Sequence, residues 1–358
     1  MHIPVFSITI DGTDVTSNFD PVLTALTIVD SEGGKADRLS CELDDADGHI
    51  ELPRVGAKVQ AGLGWSDSGS AVIFTGFVDE VLSIGSRASG HLLTIEAKSA
   101  NTRGKLKQPA QRHKDDAAFK DVAREWGMKA GLSDVKVDQA LGAINRAYWY
   151  MGHESYLAWG ERIARELGAT FKVMGDVGVF VSRDSAQSTS GKPLTTINAI
   201  YSNDVATSNI IHWSLAPVLS RPEYANFKTR WYDPANAAWM SESVKAAYSD
   251  SSDGGVTADL SHKRKHANSG NANKQAASDS AESDRDRGGG SITIQGNPDA
   301  ASQAPCIVSG VRPGVDGPYR IETATHRLTR PGSYVTDLAL VQPSGAVGAD
   351  NRATPGGS

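Results

Sequence analysis

The first hundred residues alternate apolar and polar positions with a period of two. Phe6, Ile8 and Ile10 alternate near the start, Leu39, Cys41 and Leu43 alternate with Ser40, Glu42 and Asp44, and Val59, Ala61, Leu63 and Trp65 alternate with Lys58, Gln60, Gly62 and Gly64. Val72 to Ile84 and His91 to Ala97 continue the pattern. Alternation places one set of side chains on one face of a strand, so this region predicts a small antiparallel barrel or sandwich. After Arg103 the period changes. Phe119, Val122, Ala123 and Trp126 fall on one helical face, with Asp115 and Asp116 at the expected start and Gly131 near the stop. A second helix carries Leu157, Gly160, Ile163, Ala164 and Leu167 and ends at Gly168. Strands at Thr170–Val173 and Val177–Ser182 complete a compact α+β module.

From Asp184 the strand reading returns, in "SNIIHWSLA", "YANFKTRWYD", "SITIQG", "PCIVSG", "YRIETATHRL" and "YVTDLALVQ". Between them, Ser249 to Gly290 is rich in Ser, Asp, Asn, Ala and Gly. It reads as loop with one exposed helix over 271–287, whose narrow apolar side carries Ala272, Ala276 and Ser280. The stretches "FTGFVDEVLSI…GHLLTIEAKS" and "VDGPYRIETATHRL…GSYVTDLALVQ" share a plan: a glycine before an aromatic-led strand, a turn, and an alternating return strand. The chain is therefore read as mainly β with an α+β module. Two related small antiparallel β-barrel domains, 1–103 and 184–343, flank a middle α+β domain, 104–183. A flexible or helical insertion covers about 249–290, and 344–358 forms a disordered tail.

Composition narrows the function classes. The chain has 358 residues, 22% charged, with a formal net charge of −6. That balance argues against nonspecific nucleic-acid binding over the whole surface. The only two cysteines, Cys41 and Cys306, lie far apart and read as free thiols in a reducing compartment, with a bridge between them as the alternative. No signal peptide and no membrane-spanning run is apparent.

Several motifs approach known chemistry and miss it. Asp44-Asp45-Ala46-Asp47-Gly48 resembles a calcium loop, but setting Gly48 at the sixth position puts Leu43 at the first and Arg54 at the twelfth. A polar turn is the reading. Asp44, Asp45, Asp47 and Glu51 include no visibly tuned acid/base pair. His153-Glu154 is followed at the zinc-ligand spacing by Leu157 rather than His. "STSGKPL" (Ser188–Leu194) has Ala186 for the leading glycine of a phosphate loop and Pro193 for its Ser/Thr. His326 reads as a hydrogen-bonded structural histidine on a strand, and the basic run His262–His266 as a solvated loop. No catalytic, cofactor or metal residues are assigned.

Four stretches together carry a resemblance: "ADRLSCELDDADGHIELPRVGAKVQAGLGW", "HESYLAWGERIARELGA", "SGKPL" and "GVRPGVDGPYRIETATHRL". The chain resembles the phage late control protein D family, baseplate hub proteins of contractile tails, over most of Ile3 to Gln342. Tyr156 departs from the pattern, standing where the family would have an acid. The family-signature residues are Asp45, Asp47, Gly48, Leu52, Pro53, Gly56, Gly64, Trp65, Gly317, Tyr319 and His326. The family is similar to the N-terminal hub region of type VI secretion spikes. The resemblance implies a non-enzymatic structural protein of the virion, in the tail baseplate, assembled in the host bacterial cytoplasm. It implies a homotrimer whose two barrels per chain form a pseudo-sixfold ring between the sixfold tail tube and the threefold spike. The partners implied are the spike, tail tube, tape measure and other baseplate proteins, with DNA only as passing cargo and no membrane insertion. A hub-associated cell-wall hydrolase and a carbohydrate- or receptor-binding β-protein are the competing readings.

Overall fold

The computed structural model describes residues 3–33, 36–87, 90–100, 104–183, 193–217, 224–246, 258–266, 268–330, 332–345 and 347–348. The molecule is mainly β. Its first part contains β1 (Pro4–Ile10), β2 (Thr13–Asp14), a single helical turn α1 (Thr16–Phe19), β3 (Leu23–Ser31), β4 (Arg38–Asp44), β5 (Lys58–Trp65), β6 (Gly69–Ser86) and β7 (Gly90–Lys98). Inward residues of six of these strands, among them Ile8, Leu26, Leu39, Leu63, Phe74 and Ile95, share one buried cluster, so the sheet curls around its own core. β6 makes this possible. Its first half pairs with β5, from Trp65↔Gly69 to Lys58↔Phe77, and its second half with β7, from Phe77↔Lys98 onward. At the hand-over a Cβ on Gly76 would lie 2.3 Å from the Lys98 carbonyl oxygen, so only glycine permits the close approach.

The middle part contains β8 (Ala110–Ala118), α2 (Phe119–Lys129), β9 (Asp134–Val137), the short helix α3 (Gln139–Gly142), β10 (Asn145–Glu154), α4 (Tyr156–Glu166), β11 (Ala169–Met174) and β12 (Val177–Ser182). α2 buries the face its periodicity predicts; α4 buries Gly160, Ile163 and Ala164 as predicted, but also Tyr156 and Trp159, with Leu157 only partly buried, and the shared core is aromatic: Phe119, Trp126, Trp149, Trp159, Phe171 and Phe180. Gly168 follows α4 at φ +65°, a left-handed position that suits a glycine stop. Asp115 and Asp116 are a correction. They lie in β8, which pairs with β10, and α2 begins later, capped by Ala118 without a side-chain hydrogen bond. Ladder pairing to "NRAYWYMGHE" overrides the local helix-start signal.

The last part contains β13 (Ile197–Ile200), β14 (Ile210–Ala216), β15 (Asn226–Asp233), β16 (Ala238–Lys245), β17 (Asp259–His266), α5 (Ser269–Arg285), β18 (Gly289–Gln295), β19 (Pro305–Ser309), β20 (Gly317–Thr329) and β21 (Ser333–Val341). Inward residues such as Ile292, Ile321, Leu338 and Cys306 form its core. Two expectations change here. The run His262–His266 is strand β17, parallel to β15, and not loop. The helix is half-buried: Ala272 and Ala276 are inaccessible and the threonine hydroxyl of Thr229 donates to the Ala272 carbonyl at 2.6 Å. Its start is capped by the Asn268 side chain, which accepts from the Asn271 amide.

The two β-regions share one hydrogen-bonded sheet. Its order is β14-β18-β21-β20-β3-β4-β7-β6-β5-β1-β2, with β19 also on β20 and β13 on β19. The seam is the antiparallel pair β3–β20, registered from Ser31↔Thr323 to Ala25↔Thr329. β3 is absent from the sequence reading. A register shift between Leu23 and Ala25 interrupts its alternation, which leaves Leu23, Leu26, Ile28 and Ser31 buried at uneven spacing. Both cysteines are buried free thiols, one in each β core.

Candidate functional site

The seam gathers side chains from all three parts. On β20, His326 faces inward opposite Ile28 of β3 and Thr336 of β21, fully buried. Its Nε2 lies 3.0 Å from the Ala300 carbonyl, which can only accept, so Nε2 carries the proton. Nδ1 then accepts from the Tyr334 hydroxyl at 3.0 Å. Burial holds the imidazole below its ordinary value and favours this neutral form. Tyr334 packs its ring 5.4 Å from that of Trp65, whose indole nitrogen donates to the Gly296 carbonyl at 2.9 Å. A Cβ on Gly296 would lie 2.2 Å from the Tyr334 ring. Trp65, Tyr334, His326 and Ala300 thus form a continuous line from the end of β5 into the last part.

Two buried ionic junctions lie at the end of β3. In the first, Lys172 of β11 sits between Asp30 of β3 and Asp37, at 2.5 and 2.7 Å. Asp30 also accepts from the Ser302 amide at 2.7 Å and hydroxyl at 2.9 Å. Burial opposes ionisation of Asp30, but Lys172 and Ser302 outweigh it and hold the carboxyl low. Burial dominates at Asp37, and Asp30 adds repulsion, so its carboxyl is pushed up to about 7. Lys172 is itself desolvated, yet the two carboxylates keep it charged with its value raised. In the second junction, Glu32 pairs with Arg320 of β20 at 2.6 Å and with Arg183 at 3.3 Å, while Arg320 donates to the Arg183 carbonyl at 3.2 Å. A third contact ties α4 to the small sheet: Arg146 pairs with Glu166 at 2.9 Å, and His266 Nδ1 lies 3.7 Å from the same carboxylate. A buried pair of this kind can cost as much in desolvation as it gains in attraction, while loss of one partner is strongly destabilising.

The signature residues divide. Trp65 and His326 meet at the seam. Asp45, Asp47 and Gly48 form a turn, with Gly48 at φ +65°, the Gly48 amide on the Asp45 carbonyl at 2.9 Å and the Ile50 amide on Asp45 Oδ1 at 3.2 Å. Leu52 is 61% exposed and Pro53 half-buried beside it. Gly56, at φ +86°, donates to the Val78 carbonyl. Gly64 has no room for a Cβ, which would lie 1.9 Å from the Gly69 carbonyl oxygen. Gly317 adopts φ +149°, and Tyr319 is buried with its hydroxyl on the Val315 carbonyl at 2.8 Å. Tyr156 is also buried, donating to the Ala123 carbonyl at 2.8 Å. Glu154 pairs with Arg162. Residues Ser188–Lys192 of the phosphate-loop comparison lie outside the described residues. Among the described residues no group of three His, Cys, Asp or Glu side chains is arranged for a metal, and no helix is long and apolar enough to cross a membrane. The junction residues Asp30, Asp37, Lys172, Ser302, Glu32, Arg183 and Arg320 were not legible as a set, because the three acids lie within one stretch while their partners lie more than 130 positions away, and no local spacing links the two.

No family model matches the chain. Over 193 residues it is 35% identical to a probable baseplate hub protein of Escherichia phage 186, covering 53% of this chain and 48% of that one. Over 230 residues it is 26% identical to a probable baseplate hub protein of Escherichia phage P2, covering 64% and 56%. The chain thus spans about half the length of the curated relatives it matches. Its fold is similar to that of a tail protein from Neisseria meningitidis MC58, with a TM-score of 0.70 at 13% identity over 96% of this chain and 98% of the other. The 43 kDa tail protein of prophage MuSo2 from Shewanella oneidensis gives 0.68 at 14% identity over 95% and 98%. An E. coli component of the type VI secretion system gives 0.53 at 10% identity over 92% and 76%. The resemblance to phage baseplate hub proteins read from the residues holds in sequence, and the fold is one found in phage tail proteins and in a type VI secretion component.

Proposed function

We propose that the chain is the hub of a contractile-tail baseplate, a homotrimeric ring that adapts a sixfold tail tube to a threefold spike. In this reading the β-domains, 1–103 and 184–343, lie side by side around a central channel for the tape measure protein and DNA. The module 104–183 lies outside it. The observation that carries the reading is the continuous sheet across β3 and β20, with two ionic junctions at its Ser31 end. Three copies of a chain that holds two β-domains in fixed relation present six units at set angles, which is what matching sixfold to threefold symmetry requires. The names of the phage 186 and P2 relatives support the same role.

The test is co-expression with a contractile-tail spike protein, followed by light scattering and imaging. Three hub copies around one spike trimer are expected. One copy per spike trimer, or an open chain of hubs without a threefold axis, would end the reading. The chain is proposed to act without catalysis, and a peptidoglycan zymogram of the purified protein is expected to show no clearing.

A further inference from the structure

The two β-regions repeat one four-stranded ladder. β3-β4-β7-β6 and β14-β18-β21-β20 follow the same order. Each skips a residue at the same two places. β6 does so between Val78 and Glu80 where β20 does between Ile321 and Thr323, and β3 between Leu23 and Ala25 where β14 does between Ile210 and His212. The central pairs match without a break: Arg38↔Lys98 with Gly289↔Val341, through to Asp44↔Leu92 with Gln295↔Val335. β6 therefore corresponds to β20, and β14 to β3. Within the chain β20 joins β3. Among the described residues β14 pairs with β18 alone, and β6 beyond Phe77 pairs with β7 alone. These two edges lie at opposite ends of eight consecutive strands and do not meet within the chain.

Both edges are incomplete beside the joint already made. Leu26 and Ile28 of β3 and Ala324 of β20 are at most 1% exposed. Their counterparts Trp213 and Leu215 of β14 and Val81 of β6 are only half-buried. β14 carries no Lys, Arg, Asp or Glu, and Ile211 on it and Ile84 on β6 are exposed. An open, uncharged, apolar edge is a template for another strand. We propose that β6 of one copy pairs antiparallel with β14 of the next, repeating the β20–β3 joint between chains. This names the contact behind the ring reading above and rests on it. The correspondence sets the register. Thr325↔Val29, His326↔Ile28, Arg327↔Thr27 and Leu328↔Leu26 become Leu82↔Ala216, Ser83↔Leu215, Ile84↔Ser214 and Gly85↔Trp213. In the last pair a glycine meets an indole where two leucines meet within the chain, so the combined bulk is kept. Pro217 stands where β3 has Asp30, and without an N–H it ends the pairing there. Two unlike edges make a head-to-tail contact, which closes into a ring when its rotation allows.

The test is a cysteine pair, Ile84→Cys with Ser214→Cys, oxidised with copper phenanthroline and run on non-reducing gels. It is applied to the complex formed on a contractile-tail spike protein and to the concentrated chain alone. Both positions are exposed, so the fold tolerates the changes. Directly opposed Cα atoms lie about 4.5–5.5 Å apart, within disulfide reach. Covalent dimers and trimers are expected, and nothing larger. Ile84→Cys with His212→Cys, two positions out of register, is expected to react at least about tenfold more slowly, since diagonal positions lie about 7–8 Å apart. No product from the in-register pair in either sample, or equal rates for the two pairs, would overturn the proposal. Dimers from Ser214→Cys alone would show β14 paired with another β14 and would overturn it as well. A threefold complex on the spike without in-register product ends this proposal and leaves the hub reading standing. In-register products that grow past trimers support the pairing and end the ring.

Discussion

His326 shows how a single buried ring couples the seam to pH. Its folded value lies below the ordinary histidine value of about 6.5, so in acid the unfolded chain binds a proton that the folded chain refuses. The His326 contribution is therefore complete above about pH 6.5 and falls as pH drops below it toward the folded value, with a limiting slope of about 1.4 kcal/mol per pH unit. Asp37, pushed up to about 7, opposes it over the same range, so the test is a difference: in urea denaturation at pH 7.5, 6.5 and 5.5, His326→Gln should be less stable than the unaltered chain throughout, by a margin that narrows as pH falls. Gly64→Ala tests a different constraint. The added methyl meets the Gly69 carbonyl oxygen, a backbone atom that cannot swing away, so a loss of about 2 kcal/mol or more is expected in the same assay. Asp45 makes a contrasting case. Its carboxylate serves its own turn, and Leu43 and Arg54 stand where a calcium loop needs oxygen ligands, so calorimetry should find no micromolar calcium binding.

At the scale of elements, α5 and the small sheet beneath it differ most from the sequence reading. The helix buries alanine, serine, glutamine and Arg285 but no large apolar side chain, so its apolar contribution is small and its hydrogen bonds matter more. Thr229→Val removes the hydroxyl that meets the Ala272 carbonyl, and should cost about 1 kcal/mol and raise amide exchange within α5 before any change in β20 or β21. The same region shows why some elements were legible and others not. β7 and β21 alternate cleanly because one face of each meets a core, and β5 does so only up to Ala61, beyond which Gly62 and Gly64 are buried as well. α2 and α4 show their buried faces by helical spacing. β8 is mostly polar or charged, and only its pairing with β10 makes it a strand, so it carries no pattern of its own. β17 hides in the same way: "HKRKH" has no apolar face, and its strand character comes from β15. The turn at Asp45–Gly48 was legible from residue type, but the junctions were not, since Lys172 meets acids more than 130 positions away in sequence.

For the whole molecule, Lys172 is the test of how the parts are joined. Lys172→Met would leave Asp30 and Asp37 buried together without their cation, and a loss of about 3–5 kcal/mol is expected. The sharper expectation concerns what happens next. Adding Asp37→Asn to Lys172→Met should recover part of that loss, because the surplus buried charge is gone. A purely additive double variant would mean that the two groups do not act as one unit. Thermal unfolding followed by calorimetry and by tryptophan fluorescence should coincide in the unaltered chain, as the β cores share a ladder.

That shared ladder has a mechanical consequence. β3 and β20 run antiparallel with seven registered partners, so sliding one past the other stretches their hydrogen bonds together rather than peeling them one at a time. A tensile load applied along these strands is borne collectively. A hub at the end of a contracting tail would experience sudden thrust, and a joint built this way would pass force from one β core to the other with little give. Optical-trap pulling with handles at Thr24 on β3 and Glu322 on β20, at opposite ends of the joint, should show no low-force extension step before a core itself gives way.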